Sequence, residues 1–277
     1  MKIYAHVLVK NESKFVWYSV SSIIDYVDKV LIYDTGSTDD TINIIKKLQD
    51  KYPEKIIFKE VTMDTFDEEK IRQQMLNATD SDWFIVVDGD EIWWQDSIQN
   101  LLSVIKDEGN NLESIVVPVV VPVGDIFHRQ EEKSGRYKLA GRIGHLGLRA
   151  INRKIPGLHS SGDHGVWGWV DGERRMIQDR NQNKIYYLDK PYLHTTHLER
   201  SREGKDSEVL KRKMKRKYEI GDLFPKDFYY PEVFFKPVPG FIESPWKVMN
   251  FWSKLISFIE TPFRKIKRRL WVGKAGY

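Results

Sequence analysis

Apolar stretches and helical repeats alternate through the first half of the chain. Continuous apolar runs predict strands that are buried on both faces, over residues 2–9, 29–34, 55–61, 82–88 and 114–121. Apolar residues that recur every three or four positions predict helices between them, over residues 13–26, 38–50, 67–78 and 96–106. Ser37 or Thr38 is the predicted N-cap of the second helix, and Asp67 that of the third.

This alternation predicts the fold class. Strands joined by helices of this length form βαβ units, so we expect an α/β fold with a Rossmann-like, mostly parallel central sheet and helices on both faces. After Pro122 the alternation stops, and only short strands are predicted, over 146–151 and 185–193. Residues 194–218 are predicted to form a basic helix or a loop that leads into one.

The segment 244–271 has a basic amphipathic pattern. Ser244–Pro245 and Thr261–Pro262 each place an N-cap residue before a proline, which predicts the starts of two helices in a C-terminal helical extension. Large apolar side chains fall on one face of these helices and Lys or Arg largely elsewhere. Two interpretations stay open: the helices lie on an anionic membrane surface, or they pack on the domain and display their charge to water.

Composition and charge exclude some kinds of site. The 277 residues include no cysteine, which excludes a disulfide framework, a thiolate zinc site and a cysteine nucleophile. The net charge of +4 is unevenly spread, since residues 61–100 contain ten Asp or Glu and two Lys or Arg, whereas 261–277 contain six Lys or Arg and no acid. An acidic centre suits a metal site, and a basic C-terminal third suits anionic partners.

Neither a signal peptide nor a membrane-spanning segment is predicted. The first apolar run ends at Lys10, and the longest later run contains Pro118 and Pro122 and is too short to span a bilayer. We therefore expect a cytoplasmic protein, attached peripherally to the inner face of the membrane if residues 244–271 bind lipid.

Polar side chains follow three of the predicted strands. Asn11–Glu12, Asp34–Gly36 and Asp88–Asp90 each come at the end of an apolar run. Because ligands of open α/β sheets gather at the carboxyl ends of the strands, these clusters are expected to lie close together. The two carboxylates of the third cluster, separated by one glycine, would suit Mn²⁺ or Mg²⁺, although the same pattern also occurs in solvated acidic turns.

The second cluster begins a stretch that suits a nucleotide. Residues 34–41 join the strand-ending Asp34, a turn at Gly36 and the N-terminus of a predicted helix. A carboxylate can accept hydrogen bonds from a base or a ribose, and a helix N-terminus attracts negative charge. On its own, the stretch is equally typical of a well-capped turn.

Taken in order, these motifs resemble the family 2 glycosyltransferases, which have the glycosyltransferase-A fold of nucleotide-diphospho-sugar transferases. The similarity rests on residues 9–12, 34–41 and 88–91, covers residues 1–122 and extends weakly towards residue 200. It implies an inverting single displacement, with Mn²⁺ or Mg²⁺ at the leaving diphosphate and a carboxylate general base on the acceptor side.

The resemblance also implies roles for particular residues. Asp88 and Asp90 would hold the metal, and Gln73 stands where many members carry Asn. The implied donor-binding residues are Asn11, Glu12, Asp34, Gly36, Asp39, Arg72, Gln73, Asp88 and Gly89. The chain would then comprise a donor-binding half (1–122), an acceptor-side half of the same domain (123–200) and a basic, aromatic C-terminal extension (201–277).

Further candidates lie after the metal motif. His194 and His197 resemble a histidine that many enzymes of this fold use as an additional metal ligand, and a structural, hydrogen-bonded histidine is the alternative. Asp163, in a polar loop flanked by glycines, is the predicted general base. The other candidates for the base are Asp125, Asp171 and Glu173.

Four tryptophans are candidates for binding the acceptor, because aromatic faces stack well on sugar rings. Core packing is the alternative for each of them. They are Trp93, Trp94, Trp167 and Trp169.

The expected function is transfer of a sugar from a nucleoside-diphosphate sugar, a UDP-sugar by preference, to a hydroxyl of a glycan or lipid-linked acceptor. One alternative is a nucleotidyltransferase that makes such a donor, although Lys10–Ser13 stands where that class has a glycine-rich loop with an arginine. Another is a non-catalytic protein that binds a glycan or a nucleotide. Nucleic-acid binding is not expected, because the basic stretch 205–217 belongs to no recognisable nucleic-acid module.

Overall fold

A long mixed sheet with helices packed against it organises the chain. The computed structural model describes residues 1–61, 67–162, 167–201, 205, 209 and 217–270. The α-helices of these residues are α1 (Val16–Ile23), α2 (Thr41–Lys51), α3 (Glu68–Asn77), α4 (Gln95–Glu108) and α5 (Phe251–Leu270). None of these helices is long and apolar enough to cross a membrane.

The strands fall into one large sheet and three small ones. The large sheet contains β1 (Ile3–Val9), β2 (Lys29–Asp34), β3 (Ile56–Glu60), β4 (Trp83–Asp88), β5 (Glu91–Trp93), β6 (Ser114–Val120), β11 (Leu146–Asn152), β14 (Ile185–Tyr187) and β15 (Tyr192–His194). The small sheets are formed by β7 (Pro122–Val123), β8 (Asp125–Arg129) and β16 (Asp222–Leu223), by β9 (Tyr137–Leu139) and β10 (Arg142–Gly144), and by β12 (His159–Ser161) and β13 (Gly168–Val170).

The strand order of the large sheet is β3-β2-β1-β4-β11-β6-β15-β5, and β14 also pairs with β6. The first four strands are mutually parallel, as are β14 and β15 with β6. β11 runs antiparallel between β4 and β6, and β5 runs antiparallel to β15. The predicted α/β fold with a mostly parallel central sheet is therefore confirmed.

The register of the sheet brings the polar clusters together. Val9 pairs with Asp34, and Leu8 pairs with Asp88, so β1, β2 and β4 end at one edge. A Cβ atom added at Gly89 would lie 2.8 Å from the Glu12 Cγ atom. Only glycine allows the turn after β4 to approach the chain after β1 this closely.

Most of the predicted helices and strands are present, but some differ from the prediction in their bounds or burial. β3 is an edge strand with exposed positions rather than a buried one, and the strand predicted over 185–193 is divided into β14 and β15. Asp67 caps α3 as predicted, because its carboxylate accepts from the Lys70 backbone N–H at 3.0 Å. Neither predicted residue caps α2, which begins only at Thr41.

The C-terminal prediction of two helices is wrong. α5 is one continuous helix that contains Pro262, and Ser244–Pro245 begins no helix. Inside α5, the Thr261 hydroxyl donates to the Ser257 carbonyl one turn earlier. For residues 194–218, which were predicted as a basic helix or a loop that leads into one, 194 ends β15 and residues 195–201 form no helix. Most of the remainder lies outside the described residues.

A buried histidine lies in the core beside the site. His6 on β1 is fully buried and stacks on Phe84 at 4.4 Å between ring centroids. The Thr79 hydroxyl donates to the Met75 carbonyl, so its oxygen accepts from His6 Nε2 at 2.6 Å, which fixes the neutral tautomer. Burial, together with the charges of Arg72 and Arg153, lowers the pKa of His6 to about 3.

This histidine should make stability depend on pH. In the unfolded chain His6 has a pKa near 6.5, whereas in the folded chain its pKa is about 3. The unfolded state therefore binds more protons between these two values, and stability is lost as the pH falls from 6.5 towards 3. At about pH 4.5 the loss from this group is about 2–3 kcal/mol. Urea unfolding of the wild type and of His6→Leu at neutral and acid pH measures it. The wild type should lose more stability than the variant by that amount, and equal losses would contradict the prediction.

Candidate active site

The turn between β4 and β5 carries the central carboxylates. β4 ends at Asp88, and its backbone N–H donates to Glu91 Oε2 at 3.2 Å across the turn. The Ser19 hydroxyl of α1 donates to the Asp88 carbonyl at 2.9 Å, which fixes the turn to the helix layer. The same backbone geometry directs the Asp88 and Glu91 side chains towards one another.

Three side chains form a group that could hold a metal ion. Asp88, Glu91 and His194 each offer one ligand atom, and these atoms all lie within 4.8 Å of one another. Pairing of β5 with β15 sets His194 opposite Glu91. Carboxylate oxygens with one imidazole suit Mn²⁺, and Asp88, with 34% of its side chain exposed, keeps the group accessible. The residues therefore fit the predicted ion.

The group differs from the predicted set of ligands. Asp90 is fully buried and lies outside it, because its carboxylate contacts Arg200 Nη1 at 2.5 Å and His194 Nε2 at 3.3 Å. Arg200 Nη1 also lies 3.2 Å from Glu12 Oε1, so one guanidinium joins the ends of β1 and β4. His197 is not part of the group either, although it lines the neighbouring cavity.

Two arginines flank Asp88. Arg72 Nη2 lies 3.2 Å from its Oδ1, and Arg149 Nη2 lies 3.9 Å from its Oδ2. Burial acts to raise the pKa of Asp88, but the two guanidinium groups outweigh it and the pKa is lowered. Asp88 is therefore held ionised, in the form that a cation requires.

Glu91 lies deeper than Asp88 and pairs with Arg149. Burial is the largest effect on this carboxyl and raises its pKa to about 7. Burial acts to lower the pKa of His194, but the neighbouring Asp90 outweighs it and the pKa is raised. Arg149 on β11 also donates from Nε to the hydroxyl of Tyr192 on β15 at 2.9 Å. This hydrogen bond fixes the position of the Arg149 guanidinium group.

The loops after β1 and β2 form a second part of the site. Asn11 adopts a left-handed backbone conformation with φ of 52°, and its side-chain oxygen accepts from the Thr38 N–H at 2.7 Å. Asp34 accepts from the Gly36 and Ser37 N–H groups at 2.9 and 2.8 Å. Gly36 supplies the positive φ of 92° that this turn requires.

Asp39 joins this loop to more distant chain. Its carboxylate accepts from Thr41, from the Ser13 N–H at 3.2 Å and from the Ser201 hydroxyl at 2.6 Å. Burial acts to raise the pKa of Asp39, but these hydrogen bonds outweigh it and the pKa is lowered. The predicted donor-binding residues at the ends of β1 and β2 are thus brought together and hold one another in position.

The two donor-binding residues predicted on α3 have different surroundings. Arg72 is 4% exposed, and its Nε and Nη1 atoms are buried without a hydrogen-bond partner among the described residues. Gln73 instead bonds within the protein, accepting from the Ser160 N–H at 2.9 Å and donating to the Asn77 side chain at 2.8 Å. Of these two residues, Arg72 alone has buried side-chain donors without a hydrogen-bond partner among the described residues.

A cavity of about 510 Å³ adjoins the three-residue group on the side of β11 and β13. Arg149, His194 and His197 line it, together with Trp167 and Trp169. Arg72 stacks over the Trp167 ring at 4.9 Å, which connects the cavity wall to Asp88. None of the described residues that line this cavity is Asp or Glu.

The predictions for Trp93 and Trp94 do not fit the structure. Trp93 is 1% exposed and stacks on Tyr192 at 5.1 Å, and Trp94 is 8% exposed with its Nε1 donating to the Tyr229 carbonyl. Both rings lie in the main core and present no free face to a sugar. The reason is that β5 is covered by α1 and by the chain around residue 230.

The predicted base, Asp163, lies outside the described residues. Of the alternatives, Asp125 is held by His128 Nδ1 at 2.6 Å, and Asp171 is 2% exposed and paired with Arg180. The side chain of Glu173 is 78% exposed and pairs with Arg175. Asp125 and Asp171 have structural roles in their own loops, and none of the three lines the cavity.

Sequence reasoning assigned neither Glu91 nor Arg200 to the site, and it did not pair Arg149 with the carboxylates. Glu91 follows the two aspartates directly and offered a signal, since a carboxylate beside a metal motif is a natural third ligand. Arg149 and Arg200 reach the carboxylates from 58 and 110 residues away, and no local spacing indicates such contacts.

Comparisons with known proteins bear on this arrangement. The family model described as "Glycosyl transferase family 2" matches residues 5–168. No curated protein matches the chain.

Solved structures that are similar to the chain include residues 1–349 of TarS from S. aureus, at 17% identity, over 71% of this chain and 61% of that one, with a TM-score of 0.44. The mannosyltransferase PcManGT from Pyrobaculum calidifontis is 13% identical, over 74% and 59% of the two chains, with a TM-score of 0.46. Glucosyl-3-phosphoglycerate synthase from Mycobacterium tuberculosis is 15% identical, over 70% and 71%, with a TM-score of 0.46.

The chain thus spans less than two thirds of the length of the TarS fragment and of PcManGT. The family match, in contrast, extends over more than half of this chain, from β1 through the turn with Asp88 to β13. This chain belongs to glycosyl transferase family 2.

Proposed function

We propose that the protein is an inverting glycosyltransferase. It would move a sugar from a nucleoside-diphosphate sugar, a UDP-sugar by preference, to a hydroxyl of a glycan or lipid-linked acceptor. The observation that carries the proposal is the group of Asp88, Glu91 and His194, which lies beside a cavity of about 510 Å³ in a family 2 chain. Bound there, Mn²⁺ or Mg²⁺ would supply positive charge for the leaving diphosphate.

The donor would lie across residues 1–122. The loops after β1 and β2, with Asn11, Asp34 and Asp39, would receive the nucleoside at the edge of the sheet. The Nε and Nη1 donors of Arg72, which have no hydrogen-bond partner among the described residues, suit phosphate oxygens, because guanidinium N–H groups form strong charge-assisted hydrogen bonds with phosphate. Arg72 and Arg149 would thus stabilise the charge that grows on the diphosphate.

The acceptor would enter through the cavity, within residues 123–200. Trp167 and Trp169 would line its path, since their rings form part of the cavity wall. The acceptor oxygen would attack the anomeric carbon as the bond to the diphosphate breaks, with inversion at that carbon, and its proton would pass to a carboxylate. We assign this base to Asp163, because the chain enters the cavity wall at Trp167, shortly after it, and no described acid lines the cavity.

Nucleotide release from a donor panel tests the function. We expect the protein with Mn²⁺ to release UDP from at least one UDP-sugar, and chelation of the metal to abolish the release. GDP- and dTDP-sugars serve as comparison donors. A nucleotidyltransferase would instead release pyrophosphate from a nucleoside triphosphate and a sugar 1-phosphate. Absence of turnover and of any thermal shift with every donor would refute the proposal.

The same assay tests the base. Asp163→Asn should lose at least about a hundredfold in nucleotide release. Its affinity for UDP should stay that of the wild type, because the base acts on the acceptor side. Glu173→Gln, a change of an exposed acid that does not line the cavity, is the control. A variant at residue 163 with wild-type turnover would show that another group takes the proton.

A further inference from the structure

The C-terminal helix α5 turns a polar side towards the protein and an apolar side towards solvent, the reverse of an ordinary surface helix. Its polar residues face the body of the protein: Ser257 is fully buried, and the half-buried Thr261 and Arg268 follow at helical spacing. Six large apolar residues of α5 are instead between 58% and 81% exposed. They are Phe251, Trp252, Phe258, Ile259, Phe263 and Leu270.

Specific polar contacts hold this orientation. The Ile220 N–H donates to the Thr261 hydroxyl at 2.8 Å, and Arg136 donates to the Arg268 carbonyl at 2.9 Å. The Arg268 guanidinium pairs with buried Glu219 and with Glu131 at 3.1 Å. The helix is therefore fixed to the body by its polar side, and its apolar side faces outwards as a consequence.

The exposed apolar side chains share one side of the helix, which cations border and which Arg269 interrupts near the C-terminal end. At about 100° per residue the six apolar side chains cover an arc of roughly 140°. Lys267 lies at one border of this arc, and Lys254 and Lys265 lie at the other. The helix Phe251–Leu270 carries six Lys or Arg and one Glu, a net charge of +5.

We propose that α5 docks on an anionic lipid bilayer, with its apolar side buried at the boundary of headgroups and acyl chains. Trp, Phe and Leu on one side with Lys and Arg at its borders are what an interfacial helix requires. Anionic headgroups complement the Lys and Arg side chains that border the apolar side, whereas a second copy of the same helix would bring like charges together. The helix lies on the bilayer and does not cross it, since six cations exclude a span.

The docked helix would bring lipid headgroups close to the acceptor side. A second cavity, also of about 510 Å³, is lined by Arg264, Lys267 and Arg268 of the helix. It shares Arg136 and Lys217 with the cavity beside the three-residue group. An anionic, lipid-linked acceptor could therefore pass from the bilayer along a basic path, an extension that rests on the proposed function.

Vesicle flotation of the full chain tests the docking. The chain should float with vesicles of phosphatidylcholine and phosphatidylglycerol, and much less with phosphatidylcholine alone. Each Lys or Arg near an anionic surface contributes about fivefold to binding, so added salt should weaken it. The double variant Phe258→Glu/Phe263→Glu should bind at least about tenfold more weakly, since two apolar anchors are lost.

A matched control separates the helix from general surface effects. Ile143 and Leu223 lie outside the helix and are each 69% exposed, so Ile143→Glu/Leu223→Glu changes apolar exposure and charge to a similar extent. This control should bind within about twofold of the wild type. Circular dichroism and thermal melting verify folding, which neither pair should disturb because all four side chains are exposed.

Three results would overturn the proposal: no vesicle binding by the wild type, equal binding to neutral vesicles, or equal loss in both double variants. A dimer in sedimentation that dissociates in the Phe variant, without vesicle binding, would identify a second copy as the occupant instead. The assay contains neither donor nor metal. Its result therefore stands apart from the outcome of the nucleotide-release assay.

Discussion

Asp88→Asn is expected to lower metal-dependent release of nucleotide from a UDP-sugar by about a thousandfold. The substitution keeps the shape of the side chain but removes the ionised, accessible oxygen pair that Arg72 and Arg149 hold in place. Mn²⁺ affinity should fall with activity, because the group of three loses its most exposed ligand. Electron paramagnetic resonance of free Mn²⁺ measures the first quantity and nucleotide release the second.

Three further variants sharpen this test. Asp80→Asn changes a carboxylate that is 93% exposed and should leave both quantities unchanged. Glu91→Gln should weaken Mn²⁺ binding as Asp88→Asn does if the group of three holds the ion. Asp90→Asn should do so if the pair predicted from the sequence holds it. Wild-type Mn²⁺ affinity in Asp88→Asn would show that neither set is the metal site.

Arg200→Met is expected to lower the free energy of unfolding by about 3–5 kcal/mol. The Arg200 guanidinium contacts two carboxylates that are almost fully buried, those of Glu12 and Asp90. Without it, both carboxylates lose a compensating charge in an environment where water cannot replace it. Urea unfolding at neutral pH measures the change.

An exposed ion pair provides the matched comparison. Arg175 and Glu173 are paired at 2.8 Å with 53% and 78% of their side chains exposed. Arg175→Met should change the free energy of unfolding by less than about 1 kcal/mol, because solvent screens such pairs. If Arg200→Met and Arg175→Met lowered the free energy of unfolding equally, the contacts of Arg200 with Glu12 and Asp90 would not stabilise the fold more than an exposed ion pair does.

The central sheet, and the edge of it where the polar clusters meet, could be predicted from the sequence because both follow from local patterns. Apolar runs of the right length identify β1, β2 and β4, and parallel strands necessarily end together. Asp88 was therefore predictable, as was its proximity to Asn11–Glu12. The N-cap of α2 was less so, because the Ser37 hydroxyl bonds to Asp34 and the Thr38 hydroxyl bonds to Asn11 instead of capping the helix.

The other features depend on distant pairing. Glu91 and His194 meet only because β5 pairs with β15, and Arg149 reaches Glu91 because β11 inserts between β4 and β6. The burial of Trp93 and Trp94 depends on which elements cover β5, and no periodicity encodes that. For α5 the amphipathic pattern was visible, but its orientation depends on Glu131 and Glu219 in the body of the protein.

The proposed docking of α5 on a bilayer would have a kinetic consequence. An enzyme held on a bilayer by this helix meets a lipid-linked acceptor in two dimensions, so the mole fraction of acceptor in the lipid sets the supply. Dilution of the acceptor with inert lipid would slow transfer even at constant bulk concentration, whereas a water-soluble acceptor would show no such surface dilution. The dependence of the transfer rate on total lipid area would thus follow from the outward orientation of the apolar side of α5.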